Sequence, residues 1–351
     1  MPAAPETPTA ELLDGRYQLG ECIGQGGAAR VYRAHDVLLG RTVAVKMMQA
    51  DSEALSAPTR VRNEIAVLAS LAHPSLVALY DANVVSGQPC YLVMELIDGP
   101  TLAARLREGA LTAAEVSALA RDLASALHTV HSAGIVHRDI KPANVLLAPA
   151  VLPGADFRAK LADFGIAFLL DTTRVTTPGT IVGTAAYLPP EQVRGEAATP
   201  PGDIYGLGLV LLEALTGERP FPQATGVGAV MARLIDSPRI PDWLDPAWSE
   251  LLTRMTLSEP TERPTALEVA EAATALPSSV RPAGSPPAPN GATASMPLTA
   301  TKQLAATKQL PIEEDQTATS HRRPVGPPIK IAAAAAAAIL CIVLAIWAAV
   351  A

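Results

Sequence analysis

His137-Arg138-Asp139-Ile140-Lys141-Pro142-Ala143-Asn144 is the most specific string in this 351-residue chain. It holds a carboxylate that can accept a hydroxyl proton, an ammonium that can neutralise a phosphoryl group in transfer, and an amide that can hold a metal ion. Nineteen residues beyond Asn144, Asp163-Phe164-Gly165 brings a second carboxylate suited to a metal. Upstream, Val43-Ala44-Val45-Lys46 puts an ammonium on a strand-like run, and Glu64 lies on the helical run that follows, where it can pair with Lys46. Further back, Gly24-Gln25-Gly26-Gly27-Ala28-Ala29-Arg30-Val31 sits between two predicted strands. Glycines there let backbone amides approach a nucleotide's phosphates, and Val31 can cover a base. No helix follows this loop, which sets it apart from a dinucleotide-binding fingerprint. Any one of these features alone reads as a turn or a surface charge; the ordered set does not.

Together these strings resemble the eukaryotic-like (Hanks-type) serine/threonine protein kinase family, over roughly Arg16–Leu276. The resemblance implies an α+β fold of two lobes, a small antiparallel sheet with one helix and a larger, mainly helical part. It implies a non-specific serine/threonine protein kinase using ATP with Mg²⁺ or Mn²⁺ and acting on protein hydroxyls. Ile23, Gly24, Gln25, Gly26, Gly27, Val31 and Ala44 would enclose the nucleotide. Lys46 would hold its α- and β-phosphates and pair with Glu64. Met94 would be the gatekeeper before a hinge, Glu95–Ile97, whose backbone would hydrogen-bond adenine. Asp139 would orient and deprotonate the acceptor hydroxyl, Lys141 would approach the γ-phosphate, and Asn144 and Asp163 would hold two Mg²⁺ ions. Glu191 would pair with Arg263, and Asp203 would brace the backbone around Arg138. Three departures stand out. Ala29 occupies the third glycine position, Pro189-Pro190-Glu191 stands where Ala-Pro-Glu is usual, and the stretch between Leu147 and Lys160 is longer than typical, so a surface loop is expected there.

The segment from Asp163 to Glu191 corresponds to an activation loop and carries six threonines. Thr176, Thr177 and Thr180 are the expected autophosphorylation sites, with Arg138 as the cation that a phosphothreonine would engage. The rival readings are a scaffold of the same fold without turnover and a small-molecule phosphotransferase. The presence of Lys46, Asp139, Asn144 and Asp163 opposes the first; Lys141 and the threonine-rich loop oppose the second.

Hydrophobic periodicity agrees with the bilobal expectation. Alternating or apolar runs at Tyr17–Ile23, Arg30–Ala34, Thr42–Met48, Val77–Asn83 and Cys90–Glu95 predict a small antiparallel sheet, interrupted by a helix near Thr59–Leu71. Thr112 and Glu115 form a capping box opening a helix that Gly134 ends, and an apolar helix runs from about Ile204 to Thr216 before Gly217. The expected organisation is a leader at 1–15, a catalytic domain at 16–276 (small lobe 16–97, large lobe 98–276), a linker at 277–329 and an apolar span at 330–351.

The net charge of −7 argues against nucleic acid as a partner, and Cys22, Cys90 and Cys341 lack metal-ligand spacing. The linker is rich in Pro, Ala, Ser and Thr, and repeats Ala-Thr-Lys-Gln-Leu at 300–304 and 306–310, either a local duplication or a docking or phosphorylation element. Residues 331–351 carry no charge, and as a helix would reach about 31 Å, enough for a bilayer core. Arg322, Arg323 and Lys330 precede this span and place its leading side in the cytoplasm. The expectation is a single-pass membrane protein with a cytoplasmic catalytic domain and its C-terminus at the outer face, able to form a homodimer. The alternative is a soluble or surface-lying helix.

Overall fold

Residues with β-branched and apolar side chains at alternate positions build the first half of the structure. The computed structural model describes residues 12–26, 29–48, 65–85, 88–150, 156–163, 184–221 and 236–277. Strands β1 (Tyr17–Gln25), β2 (Ala29–Asp36), β3 (Arg41–Met48), β4 (Leu79–Asn83) and β5 (Tyr91–Met94) form one sheet. Their order is β1-β2-β3-β5-β4, and every neighbouring pair is antiparallel. All five predicted strands are present, within two residues of the expected ends.

Register decides what each face of the sheet does. Val43, Val45, Tyr91 and Val93 join Tyr17 and Ala34 in a small core on one side. Because side chains alternate along a strand, Ala44 and Lys46 project from the opposite face, with Ala44 paired to Met94 and Lys46 to both Val31 and Leu92. That alternation brings the ammonium and the glycine-rich hairpin to one surface. Arg16 fastens the hairpin end, donating from Nε and Nη2 to the fully buried Asp36 at 2.9 and 2.8 Å. Helix α1 is described over 65–70 only, with Ile65 and Leu68 buried under the sheet.

The second part is helical, and local chemistry sets most of its boundaries. Helix α2 (Leu102–Leu106) is capped by Thr101. Helix α3 (Ala113–Ser132) opens with the predicted capping box: Thr112 Oγ1 accepts from the Glu115 amide, and Glu115 returns to the Thr112 amide at 2.7 Å. Gly134 follows its end at φ 75°. Val116, Leu119, Leu123, Leu127 and Val130 make the buried stripe. Helix α4 (Pro190–Val193) is a single turn. Helix α5 (Pro200–Thr216) begins four residues before the expected start, because Pro200 and Pro201 fit the first turn, where no amide partner is required. It is buried almost all round and ends in the left-handed Gly217.

Helices α6 (Pro246–Met255) and α7 (Ala266–Ala275) complete the large core, with Asp245 and Thr265 as N-caps. Trp248 is fully enclosed, and its indole N–H donates to the Pro277 carbonyl at 3.2 Å.

Between the two parts lies a hairpin that periodicity does not reveal, β6 (Val145–Pro149) paired to β7 (Phe157–Leu161). The long stretch from Leu147 to Lys160 is therefore corrected: both its ends are strand, and only its middle lies outside this ladder. Contacts divide the chain into units Met1–Ala288 and Pro289–Ala351. The described residues belong to the first, and the linker beyond Pro277, its repeat and the apolar span at 330–351 lie outside them. Among the described residues no helix is long and apolar enough to cross a membrane.

Candidate active site

Residues 137–144 form a loop held from below by one carboxylate. Asp203, in the first turn of α5, is 3% exposed and accepts the amides of His137 and Arg138, each at 2.8 Å. The His131 ring, at the end of α3, meets the same carboxylate at 2.8 Å. Arg138 adopts φ 70°, a conformation that a non-glycine residue keeps only when its surroundings impose it. The two amide bonds to Asp203 supply that constraint. His137 is fully buried, and burial depresses its pKa below the ordinary imidazole value. Its Nε2 bonds the Ala162 carbonyl at 3.1 Å, which ties the loop to the residue preceding Asp163.

Above this foundation the charged groups converge. Lys141 Nζ donates to Asp139 Oδ2 at 2.7 Å. Asn144 Nδ2 donates to the same oxygen at 3.0 Å and to the Asp139 carbonyl at 2.8 Å. No donor among the described residues takes Asp139 Oδ1. The Asn144 carbonyl accepts the Ala162 amide at 2.9 Å, so the 137–144 loop and the segment entering Asp163 are stitched together from both ends. Asp163 has φ 59°, and its Oδ1 receives Lys46 Nζ at 2.6 Å. The lysine from the sheet and the carboxylate from the helical part thus meet across the cleft. Both are partly shielded, with side chains 13% and 39% exposed.

Lys46 is paired with Asp163; the expected partner Glu64 lies outside the described residues, as do Gly27 and Thr176, Thr177 and Thr180. Gly24, Gln25 and Gly26 lie on or just after β1, and Ile23 is 45% exposed beside them. Val31 and Ala44 occupy the cleft-facing register described above. Met94 packs against the large core. Glu95 donates its amide to the Ala78 carbonyl at 2.9 Å. Its carboxylate turns elsewhere, to Lys160 Nζ at 2.8 Å. Sequence reasoning passed over Lys160, because nothing local in Arg158-Ala159-Lys160 signals a partner 65 residues away.

Glu191 and Arg263 form a closed pair, Nη1 to Oε1 at 2.7 Å and Nη2 to Oε2 at 2.8 Å, with side chains 3% and 0% exposed. Gly202 lies so close that an added Cβ would sit 3.3 Å from Glu191 Oε1.

The donors available for a metal are hard oxygens, a carboxylate from Asp163 and an amide oxygen from Asn144. Among the described residues no group of three or more His, Cys, Asp or Glu could hold an ion alone. Such a set suits Mg²⁺, which takes one or two protein oxygens and completes its shell with phosphate and water.

Comparison with known proteins agrees with this geometry. A family model described as the protein kinase domain matches residues 17–273. Serine/threonine-protein kinase PknL of Mycobacterium bovis is 40% identical over 261 residues, covering 72% of this chain and 63% of that protein. PknB of Mycobacterium leprae is 42% identical over 219 residues, covering 61% of this chain and 34% of its own length. PknA of Mycobacterium tuberculosis is 37% identical over 303 residues, 82% of this chain and 68% of that protein. The matched region thus spans less than two thirds of PknL. The chain belongs to the protein kinase domain family, in its eukaryotic-like bacterial serine/threonine branch.

Proposed function

We propose that this chain transfers the γ-phosphoryl group of ATP to serine or threonine hydroxyls of proteins. The observation that carries the reading is Asp139, whose Oδ2 is held by Lys141 and Asn144 while no donor among the described residues takes Oδ1, the oxygen that would receive a hydroxyl. In the transfer, the acceptor oxygen forms a bond to the γ-phosphorus and the bond to the ADP oxygen breaks. The hydroxyl proton passes to Asp139, and Lys141 offsets charge on the moving phosphoryl group. Bound Mg²⁺ would supply charge neutralisation on the phosphates, held by Asn144 Oδ1 and Asp163. The protein's own task is positioning and electrostatics around a loose transition state. Lys46 exchanges its contact with Asp163 for one with the α- and β-phosphates.

Autophosphorylation at Thr176, Thr177 or Thr180, membrane attachment through 330–351, a cytoplasmic catalytic domain and homodimer formation belong to this proposal and rest on sequence. The test incubates the full-length chain with Mg²⁺ and radiolabelled ATP, beside Lys46→Met and Asp139→Asn, and maps phosphosites by mass spectrometry. Label on wild type at the threonines named, absent from both variants, is the expected result. Binding of Mg·ATP without label, in detergent and in lipid alike, would sink the catalytic reading.

A further inference from the structure

Behind the cleft a single ammonium joins three separate segments. Lys160, on β7, donates to Glu95 Oε2 at 2.8 Å and lies 3.4 Å from the Leu76 carbonyl. The same Glu95 oxygen accepts the Ala78 amide at 3.3 Å. The two side chains are 14% and 26% exposed, so this pair is shielded from much of the screening that weakens surface ion pairs. Glu95 directly follows β5 and begins the passage between the two parts of the fold. Lys160 lies three residues before Asp163 on the strand that delivers it. Segment 75–77 also runs beside that strand, with Leu161 N–H on the Ser75 carbonyl and Val77 N–H on the Leu161 carbonyl, both at 2.9 Å.

We propose that Glu95 and Lys160 act as a positioning pair that sets nucleotide affinity by fixing the distance between the hinge and Asp163. The inference rests on the kinase reading. A nucleotide is then held at two ends, its base by the backbone at 95–97 and its phosphates by Lys46 and the Asp163 region. A ligand that bridges two elements gains fully from both only when their separation is already set, because otherwise binding must order them. Backbone bonds link β7 to the hinge only by way of a third segment, from Leu161 to Ser75 and Val77 and from Glu95 to Ala78. The Glu95–Lys160 bond joins the two directly and closes that route on itself. Neither side chain is directed to the reacting groups, since the carboxylate is committed to Ala78 and Lys160.

The test uses the full-length chain as wild type, Lys160→Met, Lys160→Arg, Glu95→Gln and the double variant Glu95→Gln/Lys160→Met. Affinity for Mg·ADP is measured by calorimetry, and KM for ATP and kcat are measured with casein as acceptor. Lys160→Met and Glu95→Gln are each expected to weaken Mg·ADP binding and raise KM for ATP about tenfold, with kcat changed less than threefold. The double variant should be no worse than either single one, because the two share one interaction. Lys160→Arg should stay within about twofold of wild type, since it can still reach the carboxylate. Wild-type affinity in both single variants, or effects that multiply in the double, overturns the proposal. Should Lys160→Met fail to fold, the near-isosteric Glu95→Gln carries the comparison. A wild-type chain that binds Mg·ADP but transfers no phosphate overturns the kinase reading, and the affinity comparison still decides this one.

Discussion

Replacing Arg263 with methionine should cost this protein a large part of its stability. The guanidinium has five N–H groups, and each has an acceptor. Nε donates to the Leu257 carbonyl at 2.8 Å, Nη1 to Glu191 and the Pro201 carbonyl, and Nη2 to Glu191 and the Ser258 carbonyl. The cation also lies 4.9 Å from the Tyr205 ring centre. Methionine would nearly fill the volume but would strand the Glu191 carboxylate, whose side chain is 3% exposed. Breaking a buried pair from one side typically costs about 3–5 kcal/mol. The Pro201 carbonyl keeps its helical donor, whereas the Leu257 and Ser258 carbonyls lose theirs, each adding up to about 1 kcal/mol where water cannot replace it. Protonation of Glu191 would recover part of this, so roughly 5 kcal/mol is the expected loss, against about 5–15 kcal/mol for a whole domain. At about 2–4 °C per kcal/mol for a domain of this size, the melting point should fall by roughly 10–20 °C. Thermal unfolding of the full-length chain by near-ultraviolet circular dichroism measures it, with Arg263→Lys expected to fall between. An Arg263→Met protein melting within about 2 °C of wild type would refute the reasoning, because an unpaired buried carboxylate cannot be that cheap.

Three smaller perturbations test other parts of the structure. Thr112→Ala removes the cap on α3 and should cost about 1 kcal/mol in urea unfolding while leaving phosphotransfer at its wild-type rate. Gly99→Ala would put a Cβ 2.0 Å from the Leu147 carbonyl oxygen, so the segment after the hinge must move off β6. A loss of about 1–3 kcal/mol and a raised KM for ATP are expected, and an unchanged melting curve would count against the packing described. His73 accepts the Ser75 amide through Nδ1 and bonds Ser125 through Nε2, and burial chiefly lowers its pKa. Since the folded value lies below the unfolded one, this contribution is full above about pH 6.5 and is lost as pH falls through the folded pKa. His73→Asn, which keeps an acceptor near the Nδ1 position but cannot titrate, should flatten the decline of stability between pH 7 and 5; an identical slope would dismiss it.

What could be read in advance divides along physical lines. Asp139, Lys141, Asn144 and Asp163 are legible because the chemistry demands those group types in that order. Val43 and Val45 are legible because a pleated strand alternates. The sheet's five strands and the capping box at Thr112 follow from local rules, and Thr265–Glu268 obeys the same box rule at the start of α7, a signal present but passed over. The β6–β7 hairpin stayed hidden because its turn region, rich in Ala, Pro and Gly, reads as loop, whereas its ladder is set by the Leu76–Leu161 bridge and by packing under α3. The start of α5 was misplaced because two successive prolines look like a stop and are in fact a permitted first turn. Lys160 could not be read at all: its meaning depends on a carboxylate 65 residues away. Likewise Lys46 had an obvious sequence partner in Glu64, while the contact with Asp163 exists only once two lobes face each other.

The hydrogen bond from Trp248 to Pro277 gives the edge of the folded region an optical and mechanical reference. A pull applied along the chain from beyond Pro277 acts on the buried indole of α6 through this bond. Trimming the chain ahead of Pro277 would strip the indole of its acceptor, admit water and shift its emission to the red. Trimming just after it would remove Trp347 and leave the Trp248 emission in place beside that of Trp243. In a Trp243→Phe background the fluorescence of Trp248 therefore marks the shortest fragment worth expressing, and reports when a load on the tail has begun to peel it.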